Sequence, residues 1–299
     1  MESPTNRIPD GKDTRAERGN VSISEAFEVY RQVCAFKNQS HKTEEQLLCA
    51  CRLLVAYFGD IPITNLTFDL IRRWKQDLEK TRSPSTARGY IIKLRVVLKY
   101  CRDNGYPVIN PDTIPVPQRS DTVPTFISEH DVDLLIKNAY RARSKAIISL
   151  LYASGIRVSE LCNLDRGQIH DRTFTIVGKG GKARLCFIDQ RADYYLNRYL
   201  KGRTDNNKAL FASQTGARVS PTNVQLVIRK AASNAGLGDR RITPHTLRHS
   251  FSRNFLVNNG NMRFLQQLLG HSSLETTQQY AHIVDTDLKK IYEEHHSIE

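Results

Sequence analysis

Residues 153–161, ASGIRVSEL, follow a predicted helix over about 143–153. Gly155 suits the end of that helix, because glycine readily adopts the left-handed conformation that closes many helices. Arg157 comes directly after the turn, and Glu160 follows three residues later. On a protein surface such a pair contributes little stability. This segment alone therefore does not assign a function to Arg157, and the other segments of the chain have to be considered with it.

A lysine-bearing turn follows this segment. The sequence GKGGK at 178–182 joins two β-prone runs, TFTIV at 173–177 and RLCFI at 184–188, which predicts a hairpin with Lys179 at its tip. An ordinary turn lysine is the alternative interpretation. A nucleotide phosphate loop is excluded, because no G-x-x-x-x-G-K-[ST] pattern occurs here.

Two segments near the end of the chain carry histidine, arginine and tyrosine. PHTLRH at 244–249 begins a helix on which His245 and Arg248 share a face. LLGHSS at 268–273 places His271 after a turn, and Tyr280 follows nine residues later. The pair His245 and His249 lacks the glutamate of a helical zinc protease motif, since Thr246 stands in its place. Taken singly, each of these side chains could equally be a core, turn or surface residue.

Together and in this order, the segments resemble the catalytic boxes of the tyrosine recombinases, the integrase family, and among them the Xer-like members without an arm-binding domain. The resemblance covers nearly the whole chain from about residue 22. It implies a catalytic set at six positions, none of which departs from the family pattern. These are Arg157, Lys179, His245, Arg248, His271 and Tyr280.

The resemblance implies a role for each residue of the set. Tyr280 would be the nucleophile that forms a 3′-phosphotyrosyl ester, and Lys179 the general acid for the departing 5′-oxygen. His245 would assist as acid or base, and His271 would hydrogen-bond the phosphate. Arg157 and Arg248 offer planar forks that can clamp the non-bridging oxygens of a phosphate. We assign Glu160 to orienting the site, and we expect neither a metal nor another cofactor.

Length and composition agree with a DNA-acting protein of two domains. The chain has 299 residues, 39% of them hydrophobic, and a formal net charge of +13. This hydrophobic content excludes disorder as the main state, and the positive charge favours a polyanionic partner. No apolar run is long enough to span a bilayer, and the first 20 residues lack a signal-peptide core. Six scattered cysteines suit a reducing compartment. We therefore expect a cytoplasmic, nucleoid-associated protein with no membrane partner.

The pattern along the chain divides it into four parts. We predict a disordered tail at 1–20, a helical core DNA-binding domain of SAM-like type at 21–106, a proline-rich linker at 107–124 and a catalytic domain at 125–299. The predicted fold is mainly α with a small β-sheet in the C-terminal domain (α+β), arranged as a two-domain C-shaped clamp. Besides the helix at about 143–153 and one that Ser128 caps, we predict helices at 24–37, 43–58, 66–80, 84–103, 191–200, 221–235, 244–257, 262–269, 274–281 and 286–294.

A row of cations on the helix at 84–103 is a candidate DNA-contact surface. The row lies beside the apolar stripe of this helix, where it could follow a phosphate backbone. A solvated outer face is the alternative interpretation. Two more candidates come from the second domain. Lys182 lies in the GKGGK turn, and Arg241 lies in the stretch 240–274, which contains five arginines and no acidic residue. The candidates are Arg88, Arg95, Lys99, Arg102, Lys182 and Arg241.

The expected partners are a double-stranded DNA target site and other recombinase subunits. Leu288, Ile291 and Tyr292 make one apolar face of the predicted terminal helix. That helix could fold onto its own domain. In the family it docks onto a neighbouring subunit, which implies a homotetramer on DNA or a mixed tetramer with a related recombinase. Two other functions remain open at this point: a type IB topoisomerase-like relaxing enzyme and a catalytically silent DNA-binding regulator.

Overall fold

The computed structural model describes residues 21–37, 39, 41–118, 125–178, 181–213, 215–258 and 260–270. The chain divides into two compact units, residues 1–122 and 123–299. The predicted tail at 1–20 and the predicted helices at 274–281 and 286–294 lie outside the described residues. None of the helices among the described residues is long and apolar enough to cross a membrane.

The described part of the first unit is built from four helices around one core. They are α1 (Ile23–Phe36), α2 (His41–Phe58), α3 (Phe68–Thr81) and α4 (Pro84–Asp103). Their apolar stripes meet around Trp74, Leu54 and Leu94, which are fully buried. Side-chain caps set the starts of α1, α3 and α4. In α4, Ser83 accepts a hydrogen bond from Thr86 N–H, and Pro84 occupies the first turn.

The segment after α4 packs onto the first unit, although 107–124 is predicted as an extended linker. Pro111 and Ile114 are buried, and Ile114 belongs to the same core as α1 to α4. The packed part of the first unit therefore extends beyond the predicted boundary at 106, as far as residue 118 among the described residues. The physical reason is that proline prevents a helix but does not prevent the apolar side chains between the prolines from being buried.

Residues of this packed segment also bind three of the four α4 cations that are predicted to contact DNA. Arg95 pairs with Asp112 at 3.0 Å, and Arg102 donates to Asn110 Oδ1 at 2.7 Å and to Asp112 at 3.3 Å. Arg88 donates to the Pro117 carbonyl oxygen, whereas Lys99 is exposed. The cationic row of α4 is thus in part a docking surface for the chain itself, and DNA contact by these residues stays a prediction.

The second unit packs its helices around the buried helix α6. It contains α5 (Glu129–Asn138), α6 (Ala142–Ser154), α7 (Val158–Asn163), α8 (Gln190–Lys201), α9 (Pro221–Asn234), α10 (Pro244–Val257) and α11 (Met262–Leu269). The middle of α6 is buried on every side from Ala146 to Leu151, with Ser149 its polar residue, and α5, α8, α9 and α10 all pack against it. This central helix holds the turn at Gly155 in a fixed place.

A two-stranded antiparallel sheet lies beside these helices. Strands β1 (Thr173–Val177) and β2 (Ala183–Phe187) pair so that Ile176 faces Arg184 and Phe174 faces Cys186. These four residues lie on the inner face, because side chains alternate along a strand. The prediction of a mainly helical protein with a small sheet in the second domain is confirmed.

Candidate active site

The turn at Gly155 sets the position of Arg157. Gly155 closes α6 in the left-handed conformation, with φ of 61°, and donates its N–H to the Leu151 carbonyl oxygen at 3.1 Å. The next residue, Ile156, is buried and anchors the chain. Arg157 then caps α7 with an extended backbone and projects from the end of two helices.

Glu160 holds Arg157 from one turn further along α7. Its carboxylate accepts a hydrogen bond from the Arg157 backbone N–H at 2.7 Å and another from Arg157 Nη1 at 3.0 Å. The Arg157 side chain remains 39% exposed, whereas that of Glu160 is only 11% exposed. This geometry suits the predicted orienting role of Glu160, since the carboxylate fixes both ends of the arginine.

Arg184 binds the other side of the Glu160 carboxylate. Its two terminal nitrogens donate to the two carboxylate oxygens at 3.0 and 2.6 Å, a bidentate arrangement. Burial alone would raise the pKa of Glu160, but hydrogen bonds from Arg184 and from the Arg157 backbone outweigh burial and lower that pKa below its usual value. Glu160 is therefore ionised at neutral pH, between two arginines.

Arg248 joins two turns that are distant in the sequence. It lies on the first turns of α10 and is 5% exposed. Its Nη1 donates to the Gly155 carbonyl oxygen, and its Nη2 donates to the Leu269 carbonyl oxygen at 2.9 Å. The guanidinium thus connects the turn before Arg157 with the end of α11, two positions before His271 in the sequence.

The end of α11 is held by a second arginine. Arg184 Nε donates to the Leu268 carbonyl oxygen at 2.9 Å. Gly270 closes α11 with φ of 63°, and a Cβ at this position would lie 2.9 Å from Arg184 Cδ. Glycine is required here both by the backbone conformation and by the close approach of the arginine.

The two histidines of α10 lie in different environments. His245 is exposed on the first turn, while His249 is partly buried, and their ring centroids are 6.4 Å apart. Burial, together with the charges of His245 and Arg248, lowers the pKa of His249 to about 4. His249 is therefore neutral at neutral pH. Of the two histidines, His245 is the one exposed to solvent.

Three of the predicted catalytic residues, Lys179, His271 and Tyr280, lie outside the described residues. Their assignments stay predictions. The residues that precede Lys179 and His271 in the sequence, Gly178 and Gly270, line one open cavity. Arg157, Lys182 and Arg184 line the same cavity.

The two DNA-contact candidates of the second unit are both exposed. Lys182 directly precedes β2 and lines the same cavity. Arg241 precedes α10, and its carbonyl oxygen accepts a hydrogen bond from the Thr246 hydroxyl. Their exposure is compatible with a DNA contact, which stays a prediction for both residues.

Sequence reasoning missed Arg184, although the sequence carries a signal for it. Arg184, Cys186 and Ile188 alternate with exposed positions in β2 and just beyond it. A charged residue in the inward set of a strand needs a buried partner of opposite charge. In this structure that partner is Glu160.

The sequence is similar to those of known proteins. The sequence profile of the phage integrase family matches residues 125–286. The tyrosine recombinase XerD of Pseudomonas putida is 34% identical over 239 residues, which is 75% of this chain and 78% of that protein. The profile covers more than half of the chain, so the chain belongs to the phage integrase family. Within the family its relatives are Xer tyrosine recombinases, so the prediction of a Xer-like member is confirmed.

The chain is also similar to a second XerD in sequence and to a lambda integrase in fold. XerD of Oceanobacillus iheyensis is 35% identical over 196 residues, which is 61% of this chain and 66% of that protein, slightly under two thirds of its length. The crystal structure of a lambda integrase tetramer bound to a Holliday junction shares the fold with a TM-score of 0.73. It is 16% identical and covers 87% of this chain and 80% of that one.

Proposed function

We propose that the chain is a site-specific DNA recombinase, which cleaves and rejoins strands through a covalent 3′-phosphotyrosine intermediate. The observation that carries this proposal is the position of Arg248. Its guanidinium is hydrogen-bonded to the turns that precede Arg157 and His271. These bonds hold α10, the turn at Gly155 and the end of α11 together. The family of the chain supports the same function.

The chemistry requires each residue of the predicted set. The Tyr280 oxygen attacks the phosphorus atom, the phosphorus–O5′ bond breaks, and Lys179 gives a proton to the leaving 5′-oxygen. His245 accepts or returns the tyrosine proton, and His271 hydrogen-bonds the phosphate. Negative charge grows on the non-bridging oxygens in the transition state, where the two arginines stabilise it. The phosphotyrosyl ester retains the bond energy, so a 5′-hydroxyl of another strand can reverse the step.

The proposed substrate is a duplex DNA site held by both units. We propose that residues 21–118 form the core-binding domain and that 125–299 form the catalytic domain of a clamp around DNA. Relatives that are Xer recombinases, and the lambda integrase tetramer on its Holliday junction, support an assembly of four subunits, either identical or mixed with a related recombinase. The mobile-element and dimer-resolution roles share this chemistry. With DNA as substrate, the proposed location is the cytoplasm, at the nucleoid.

Covalent capture tests the proposed function. Wild-type protein is incubated with a library of nicked duplexes of random sequence, in which the released strand diffuses away after cleavage. We expect recovery of a defined sequence joined to the protein, and mass spectrometry of the digest should place the nucleotide on the Tyr280 peptide. An adduct on another residue would contradict the nucleophile assignment. Relaxation of supercoiled plasmid that lacks the recovered site would favour a topoisomerase, and no adduct at all would favour a silent regulator.

Asp112 offers a test of the cationic row on α4. The Asp112 carboxylate pairs with Arg102 and Arg95, which hold its pKa below the usual value. If the row contacts phosphates, Asp112→Asn should strengthen binding to a random-sequence duplex about 2- to 10-fold at low salt and steepen the salt dependence by about one counterion. Fluorescence anisotropy at several salt concentrations measures both quantities.

A charge-matched control separates the row from net charge. Asp193→Asn makes the same charge change on α8 of the second unit, where Asp193 accepts a hydrogen bond from Asn197. The same gain in both variants would show that overall charge alone is responsible, and the cationic row would then lose its assignment as a DNA-contact surface.

A further inference from the structure

Arg184 is a charged side chain on the inner face of the hairpin. It lies on the same face as the buried Cys186, opposite Ile176 in the register. Its side chain is 9% exposed. Taking a guanidinium out of water is costly unless its charge and its donors are matched. An apolar side chain would be enough to pack the inner face of the hairpin at this position, so the buried charge of Arg184 has to serve another purpose.

The donors of Arg184 connect the hairpin to both other parts of the site. Two nitrogens bind the Glu160 carboxylate on α7, and Nε binds the Leu268 carbonyl oxygen at the end of α11. Glu160 in turn holds Arg157. A single side chain thus fixes the distance from strand β2 to the element that carries Arg157 and to the turn that precedes His271.

The hairpin depends on such a connection. An isolated two-stranded hairpin is marginally stable at best, and it needs packing against other elements. The outer face of β2 cannot supply that packing, because Leu185 and Phe187 are 52% and 47% exposed. On the inner face, Phe174, Ile176 and Cys186 are buried, and apolar contact of this kind is non-directional. Arg184 adds directed hydrogen bonds that set the register of the hairpin against the site.

We propose that Arg184 is a positioning residue for the protonation of the leaving strand. The inference rests on the proposed function, in which the hairpin tip supplies the general acid. Proton transfer requires the donor to be within hydrogen-bond reach of the 5′-oxygen, and a misplacement of about 1 Å can cost about 100-fold in rate. Without Arg184, Arg157 keeps its two hydrogen bonds to Glu160, and Arg248 still holds the Leu269 carbonyl oxygen. The hairpin, in contrast, loses its bonds to Glu160 and Leu268. Loss of Arg184 therefore impairs protonation of the leaving group far more than it impairs attack by the nucleophile.

A change of leaving group separates these two steps. In a duplex whose scissile 5′-oxygen is replaced by sulfur, the leaving thiolate is much less basic than an alkoxide and departs without a proton donor. The substrates are the duplex recovered by wild-type capture and the same duplex with this 5′-bridging sulfur. The measurement is the single-turnover rate of covalent adduct formation on each substrate.

For Arg184→Gln we expect adduct formation on the oxygen substrate to fall about 10- to 100-fold, a part of the about 10²- to 10⁴-fold that general acid catalysis contributes. On the sulfur substrate the rate should stay within about 3-fold of wild type, because no proton is needed. Arg184→Lys should show a smaller loss with the same preference for sulfur. The rate on the sulfur substrate also reports that the variants are folded.

Arg203 provides the matched control. It too is buried, with a side chain 6% exposed, and it pairs with Asp205 and donates to the Ala209 and Leu210 carbonyl oxygens at 2.7 and 2.8 Å. Arg203→Gln should change both rates by the same factor. Equal losses on both substrates for both Arg184 variants would overturn the proposal and leave Arg184 a structural residue. Absence of any wild-type adduct would instead overturn the proposed function.

Discussion

Arg248→Lys is expected to lower the rate of covalent adduct formation about 10²- to 10³-fold, the usual effect of removing one donor that stabilises transition-state charge. The loss should be the same on the oxygen and the sulfur substrates, because the arginine acts on the non-bridging oxygens. In this respect Arg248 should differ from Arg184. Single-turnover rates on the two duplexes measure both effects.

The geometry of Arg248 explains why lysine cannot replace it. Its two terminal nitrogens reach the Gly155 and Leu269 carbonyl oxygens at the same time, and this pair of bonds fixes the plane of the guanidinium. An ammonium group is a single charged point on a flexible stem, without the fork. One of the two carbonyl oxygens would therefore lose its buried partner, which costs about 1–3 kcal/mol of stability.

The control for Arg248 must separate that loss of stability from the loss of chemistry. Arg203→Lys removes a buried guanidinium that also binds two carbonyl oxygens, both through Nη1, and pairs with Asp205, at a place outside the candidate site. Both variants should unfold at a lower temperature by a similar amount, and only Arg248→Lys should lose adduct formation. Comparable activity losses in the two variants would mean that destabilisation alone explains the effect of Arg248.

Features that depend on local chemistry were predictable from the sequence. The predicted bounds of α4, α10, α11 and β1 agree with those observed, because capping residues, prolines and apolar spacing act within a few positions. Ser83 and Thr243 cap their helices, and Gly155 ends α6 as predicted. The neighbouring positions of Arg157 and Glu160 follow from the same local rules.

Features that depend on distant contacts were not predictable in the same way. The proline-rich composition of 107–118 gave no indication that Ile114 is buried or that Asp112 would bind Arg95 and Arg102. Likewise, the sequence placed Arg248 near the start of a helix but could not show that its side chain is buried between two turns. Both facts depend on which residues the tertiary fold brings together.

Gly155→Ala is expected to destabilise the second unit by about 2–5 kcal/mol. About 1–2 kcal/mol comes from holding alanine in the left-handed conformation, since φ is 61°. A further 1–3 kcal/mol, roughly, comes from overpacking, because the added Cβ would overlap the Phe251 ring and lie 2.7 Å from its Cε1. At about 2–4 °C per kcal/mol, calorimetry of the full chain should show a fall in Tm of roughly 4–20 °C.

Gly236→Ala isolates the conformational part of this cost. Gly236 also has a positive φ, 73°, but a Cβ there would meet nothing within 4 Å. The Tm of the Gly236→Ala variant should therefore fall by only about 2–8 °C. Equal losses for the two glycines would rule out the overlap with Phe251.

Phe251→Leu combined with Gly155→Ala tests the overlap directly. The smaller side chain leaves room for the added methyl group, so the double variant should be more stable than the sum of the single changes predicts, by roughly 0.5–3 kcal/mol. Because the Gly155 carbonyl oxygen binds Arg248, the double variant should also regain adduct formation that Gly155→Ala loses. Strict additivity in stability and activity would show that overlap with the Phe251 ring is not the cause of either loss.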